Sequence, residues 1–422
     1  MPMNPWFPDA KLGIFLHYGI YAVDGVTESW AFYTGEVTHE RYMRQCAGFT
    51  AAAYDPEAWA DLVARSGARY AVLTARHHDG VSLWDSRHSH LDVVRDTPAG
   101  RDLVGGFVDA LRKRELKVGL YYSHSDWNHP DYASVTHSAP PKAEIATHPL
   151  VVPRNGVARP EAWARYLTYR DAQVAELLDR FAPDLLWFDG EWERSEEQWG
   201  LAELAGLIGT RAPEAVLNAR MLSYGDYATP EQSPPVVPPA GPWELCLTVN
   251  DSWGYKPQDT NYKSVARLVR YFTETIGGGG NLLLGIGPRE DGTIPEEEVA
   301  RLEGLGAWIT GHAEAVYGTT VGLPAGHHHG ASTVSADRRT LYLFCYDPPR
   351  EAVAVRGLRT PVERVRVVGS GAELAHEVVG GPGAPGITWI SAPAAADTDA
   401  SATVLAVELA GELDLYRGPG RD

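Results

Sequence analysis

Short runs that are apolar nearly throughout recur along the first three-quarters of this chain, most of them followed by a stretch with helical spacing. They read LGIFLH (12–17), RYAVLTA (69–75), KVGLYYS (117–123), DLLWFDG (184–190), AVLNAR (215–220), WELCLTV (243–249) and NLLLGIG (281–287). A strand with one wet face alternates polar and apolar residues. A strand covered on both faces does not, so these runs predict parallel strands packed under helices. The segments between them agree. DPEAWADLVARSG (55–67) opens on a capping Asp with Pro in the first turn and closes on Gly. Residues 101–116, 160–182, 262–277 and 295–311 carry apolar side chains at a spacing near 3.6. Seven strands plus a weak eighth, alternating with helices, predict an α/β fold, a (β/α)8-like TIM barrel over residues 1–318. A doubly wound sheet is the alternative, but no Gly-rich phosphate loop follows the first strand.

Beyond AVYGTT (315–320) the texture changes. TLYLFCY, AVAVRG, RVRVVGS, GITWIS and TVLAVELA are short strand-like runs between Gly, Pro and Asp turns, with no helical pattern. This predicts a C-terminal all-β sandwich domain over 319–422. The loops at 128–160 and 222–242 are long and rich in Pro, His and Tyr, and barrel loops of this kind roof active sites.

Composition removes several classes of function. With 422 residues, a formal charge of −18 and no long basic run, a nucleic-acid partner is not expected. No apolar stretch reaches membrane-spanning length, so no membrane partner is expected either. Cys46, Cys246 and Cys345 are odd in number and widely spaced, fitting neither a metal pattern nor a disulfide framework. The N-terminal stretch lacks the basic start and apolar core of a secretion signal, so a cytoplasmic location is expected and the NDS sequon at 250–252 carries no weight. No metal or cofactor is expected, and oligomeric state is left open. Thirteen Trp, 20 Tyr and 15 His suit a pocket that stacks a sugar ring and bonds its hydroxyls, although large cores use the same residues.

Active-site groups of a barrel sit at the C-terminal ends of its strands. Those ends hold His17, then His77, His78 and Asp79, then Tyr121, Tyr122 and His124, then Asp189, then Arg220. Phe15 and His17 share a face of the first strand by period-two alternation. Singly, each has a plain reading: a satisfied histidine, a turn-forming Asp79 before Gly80, an Arg220 paired at the surface. Together they describe a neutral-to-cationic surround for one carboxylate, Asp189, which ends an apolar strand beside Trp187, Phe188 and Trp192. An ionised acid there is costly unless paired or used. A pair of carboxylates makes a glycosidase. Asp189 is the nucleophile candidate, and its partner is open among Asp226, Glu231, Glu28, Glu191, Glu193 and Glu244.

Eight blocks, in order, resemble the α-L-fucosidases of glycoside hydrolase family 29: WFPDAKLGIFLHYGIYAV, YAVLTARHHDGVSLWDS, KVGLYYSHSDWNHPDY, LLWFDG, GDYATPEQ, WELCLTVNDSWGY, GGGGNLLLGIGP and DGTIP. The resemblance runs from about Trp6 to Tyr317. It implies a barrel with a C-terminal β-sandwich and hydrolysis of terminal α-L-fucose from oligosaccharides, with retention through a covalent fucosyl-enzyme. It places the nucleophile on Asp189 and the general acid/base on Glu231. Fucose-contacting positions fall on His17, Trp30, His77, His78, Tyr121 and Arg220, and aromatic positions near the sugar methyl on Phe15 and Trp253. The sequence departs from the family in ESWAFY, which puts Glu28 in doubt as a ligand, in LHYG, and in Gly285 where Asn is usual. The DWNHPDY and TPEQ blocks resemble the branch acting on α-1,3/1,4-linked fucose. Two rivals are a metal-dependent barrel hydrolase, against which stands the absence of a His-x-His end on the first strand, and a fucose-binding protein without catalysis.

Overall fold

The computed structural model describes residues 3–132, 160–380 and 386–416, so most of the 128–160 loop expected over the site lies outside the described residues. Seven parallel strands form one curled sheet: β1 (Leu12–Leu16), β2 (Tyr70–Arg76), β3 (Lys117–Ser123), β4 (Leu185–Asp189), β5 (Val216–Leu217), β6 (Glu244–Thr248) and β7 (Asn281–Ile286). Their spatial order is β5-β4-β3-β2-β1-β7-β6, which leaves β5 and β6 as the two edges. Helices Pro56–Arg65, Leu103–Arg112, Pro160–Phe181, Leu201–Arg211, Val265–Gly277 and Glu296–Gly311 fall between and after the strands. The first shows the expected cap, with the Asp55 carboxylate accepting from the amides of Glu57 and Ala58.

Alternation along the strands sorts side chains into two cores. Ile14 and Leu16 belong to the large outer core with the helices, whereas Phe15, Tyr121 and Trp187 belong to the core inside the curl. The barrel-like domain is thus real, but its closure differs from an even eight-strand barrel. Among the described residues no regular strand runs between the two edges, and the isolated parallel bridges Asn218–Tyr227, Ala228–Trp243 and Glu231–Cys246 bring them together. This strip, 226–232, stands in for the weak eighth strand.

The AVLNAR run also yields a shorter strand than expected, and a side chain explains it. The Asn218 amide accepts from the Phe188 N–H at 2.9 Å and donates to the Phe188 carbonyl at 2.9 Å. It continues the β4–β5 ladder in place of a peptide, so the main chain is free to turn at Ala219 and swing Arg220 inward.

From Thr319 onward the chain is antiparallel. Strands β8 (Thr319–Val321), β9 (Ser332–Ser335), β10 (Thr340–Cys345), β12 (Val362–Val367) and β15 (Thr403–Leu409) make one sheet, and β11 (Val353–Arg356), β13 (His376–Val379) and β14 (Ile387–Ile390) a second. Val334, Leu341, Leu343, Val355, Ile390 and Leu405, drawn from both sheets, share a core of their own. Among the described residues no helix is long and apolar enough to cross a membrane.

Candidate active site

The C-terminal ends of the strands surround a small cavity of about 110 Å³, closer to one sugar ring than to a chain of them. Its walls take in nine of the ten site residues expected above, among them Phe15, His17, Trp30, His77, Tyr121, Asp189, Arg220 and Glu231. Trp253 is the ninth. His78 lies just behind the wall, with Nε2 3.4 Å from Asp189 Oδ2. All ten site residues expected from the sequence therefore gather in one place.

Asp189 stands at the end of β4, where Gly190 turns the chain at φ 86°. A Cβ at that glycine would lie 2.7 Å from Ser125 Oγ, so only glycine lets the turn pack this tightly. Asp189 Oδ2 accepts from the Tyr121 hydroxyl at 2.9 Å, and Oδ1 faces Arg220 Nη1 at 3.4 Å. Burial pushes its acidity down, but the approach of His78 and the Arg220 charge outweigh burial and hold the carboxyl well below the usual carboxylate range. Asp189 is ionised.

Arg220 is the hub. Its Nη1 also faces Glu191 Oε1 at 3.4 Å, and its Nη2 faces Glu231 Oε2 at 3.2 Å. Behind it, His124 Nε2 lies 3.2 Å from the Arg220 carbonyl while its ring stacks on Phe188 at 4.7 Å. His124 serves the arginine's backbone and not the cavity. Glu231 keeps 43% of its side chain exposed, so it can exchange protons with solvent. The strip carrying it is held by the Cys246 amide donating to the Pro230 carbonyl and the Gln232 amide donating to the Cys246 carbonyl.

His17 and His77 are neutral. Burial pulls His17 down to about 3 and His77 well below its ordinary value, despite the opposing pull of Asp189. Each neutral ring offers a donor and an acceptor, the pairing a sugar hydroxyl needs. The two adjacent histidines diverge: His77 Nδ1 pairs with Ser29 and His78 Nδ1 with Ser123. Among the described residues no group of three His, Cys, Asp or Glu is placed to hold a metal ion. On the apolar side, Phe15 packs on His17 (4.2 Å), Trp187 (5.2 Å) and Trp253 (5.9 Å).

Several competing acids take other work. Asp79 accepts from the Tyr42 hydroxyl and the Val81 amide, which is the turn-forming role. Asp226 accepts from the Leu217 amide at the end of β5. Glu193 is buried against Trp127 and Tyr132. Glu244 is buried under the cavity and bonded to Trp187. Glu28 runs the other way: it lines the cavity, accepts from the Gly254 amide at 2.6 Å, and is pushed up to about 7 by burial. Trp187 and Trp192 also line the cavity without having been picked out as ligands. For Trp187 a signal existed, since it precedes Asp189 by two residues on one strand and so shares its face.

A curled parallel sheet with an ionised aspartate at a strand end, a second carboxylate on the same arginine and neutral imidazoles over aromatic rings defines a barrel glycoside hydrolase. The family model for α-L-fucosidase matches residues 1–314, and the chain belongs to the α-L-fucosidase family, glycoside hydrolase family 29. Tissue alpha-L-fucosidase of Rattus norvegicus is 32% identical over 344 residues, covering 75% of this chain and 70% of the relative. The structure of alpha-L-fucosidase isoenzyme 1 from Paenibacillus thiaminolyticus superposes with a TM-score of 0.83 at 32% identity, covering 96% of this chain and 98% of that one. The Thermotoga maritima alpha-fucosidase bound to a mechanism-based inhibitor is 28% identical with a TM-score of 0.76, covering 96% and 97%. The protein is a glycosidase of the α-L-fucosidase type.

Proposed function

We propose that the protein removes terminal α-L-fucose from oligosaccharides with retention of configuration, through a covalent intermediate on Asp189. The observation that carries this reading is the pairing of an ionised, largely buried Asp189 and a solvent-reaching Glu231 on the two amino groups of Arg220. An Asp189 oxygen bonds to the anomeric carbon while the glycosidic C–O bond breaks, and Glu231 gives its proton to the departing oxygen. Water then attacks the same carbon, the ester to Asp189 breaks, and the water's proton returns to Glu231. Inhibition of the Thermotoga enzyme by a mechanism-based compound supports a covalent step. His17 and His77 meet the hydroxyls, and Phe15 with Trp253 forms a niche for the sugar's methyl group. We extend the proposal to α-1,3/1,4-linked fucose on the strength of the DWNHPDY and TPEQ blocks, to be checked by comparing all four fucosyl linkages. The three free cysteines support a reducing, cytoplasmic setting, which fractionation of the source cells would test.

A general acid matters most for a poor leaving group. Glu231→Ala should therefore cripple hydrolysis of a fucosyl disaccharide far more than that of an activated aryl fucoside. Added azide should intercept the intermediate and give the α-fucosyl azide. Equal slowing of both substrates with no α-azide would move the role elsewhere, and Glu191 or Glu28 would be the next acids to replace.

A further inference from the structure

We propose that Glu244 is a positioning residue, which through one carboxyl group fixes both the floor of the sugar cavity and the strip that carries Glu231. The inference rests on the reading of Glu231 as acid/base. Glu244 opens β6 and is fully buried inside the curl of the sheet. Its Oε2 accepts from the Tyr70 hydroxyl. Its Oε1 accepts from Trp187 Nε1 at 2.9 Å and from the Tyr227 hydroxyl at 3.3 Å. No ion pair reaches it among the described residues, so these three neutral donors carry the cost of burying the carboxyl.

Two of the donors lead to the chemistry by different routes. Trp187 lines the cavity, stacked beside Tyr121 at 5.7 Å and against Phe15 at 5.2 Å. A hydrogen bond on its one polar atom fixes the orientation of the whole ring. Tyr227 belongs to the strip 226–232, which isolated bridges and a few hydrogen bonds tie to β5 and β6. Tyr227 lies four residues before Glu231, its ring gripped by Phe7 at 4.4 Å and its hydroxyl by Glu244. The strip therefore takes its height in the wall from the same acid that sets the tilt of the floor. An apolar residue would fill the space but leave three donors unpaired. A glutamine would not: its carbonyl oxygen still accepts from Trp187 and Tyr227, and its amide can donate to the Tyr70 oxygen.

The test measures Glu244→Leu, Glu244→Gln, Trp187→Phe and Tyr227→Phe on 4-nitrophenyl α-L-fucoside and on a fucosyl disaccharide, with circular dichroism as the check on folding. Trp187→Phe should raise KM on both substrates by about tenfold with the ratio of the two kcat values unchanged. Tyr227→Phe should do the reverse, lowering kcat on the disaccharide at least about fivefold more than on the aryl fucoside. Glu244→Leu should show both effects, and Glu244→Gln should return both to within about threefold of the parent. A folded Glu244→Leu protein with unchanged KM and unchanged kcat ratio overturns the proposal. If that variant does not fold, the two conservative variants decide: a Tyr227→Phe ratio equal to the parent's, or a Glu244→Gln protein as impaired as Trp187→Phe, overturns it equally. Glu231→Ala in the same assay separates the two failures, because a ratio unmoved there removes the acid/base reading, whereas the KM effect of Trp187 does not depend on it.

Discussion

Asp189 and Glu191 flank Gly190, share one nitrogen of Arg220, and are pushed in opposite directions. Burial opposes ionisation of both. At Asp189 it loses to His78 and Arg220, while at Glu191 it wins and, with Asp189 adding repulsion, lifts the carboxyl to about 7. Environments that push two neighbouring acids apart in this way mark an acid–base site. In the proposed mechanism the ionised member, Asp189, is the one to attack carbon. Asp189→Asn keeps the shape and should lower kcat on an aryl fucoside by at least about a thousandfold. A 2-fluoro-fucosyl probe should label Asp189 alone, and label recovered on any other peptide would refute its role. At this scale the strand-end reading of the sequence brought Asp189 and its surround to one place because barrel geometry fixes where strand ends point. It could not choose among the acids, since Asp226, Glu193 and Glu244 are told apart only by donors far away in the chain, such as Trp127 for Glu193 and Trp187 for Glu244.

At the scale of elements, the strands were legible from their unbroken apolar runs, and the places where they stop short were not. β5 ends early because the Asn218 side chain replaces a peptide in the ladder, which no periodicity announces. Gly285 in β7 is similar. As a departure from the family pattern it had no account in the sequence, and the structure supplies one. A Cβ there would lie 2.9 Å from two ring atoms of Trp253, so the glycine lets that indole settle over β7 and into the cavity. Gly285→Ala should push the ring outward and raise KM for an aryl fucoside by about tenfold, with a smaller change in kcat. Because the displaced ring borders the methyl niche, discrimination against α-L-galactosides, whose extra hydroxyl finds no partner there, should also shrink. A Gly285→Ala enzyme with the parent's KM and selectivity would show that Trp253 does not shape the niche.

At the scale of the whole molecule, buried acids set the dependence of stability on pH. Burial lifts Glu28, Glu191 and Glu244 to about 7 and Glu298 to about 8, the last held by the Gly287 amide. An unfolded glutamate releases its proton near 4.3, so between that pH and 7 or 8 the folded state holds protons the unfolded state has lost, and stability falls as pH rises. Buried His17, His77 and His124, depressed in the folded state, oppose this only below about 6.5, where the unfolded chain begins to take up protons. Above that the acids act alone. Tm should decline from pH 6.5 to 8, and Glu298→Gln should flatten the decline; an equal slope in the variant would acquit Glu298. The same scale gives the unclosed edge between β5 and β6 a further meaning. A long ladder of paired strands opens only at great cost, but this edge, held by isolated bridges and a few main-chain hydrogen bonds, can part while the rest of the sheet stays shut. The amides of Ala228, Gln232 and Cys246 should then exchange with deuterium ahead of those of β1 and β2. If Glu231 and Asp189 have their proposed roles, mild urea should cost the enzyme its proton donor before its nucleophile, so that it fails on disaccharides while still cleaving aryl fucosides.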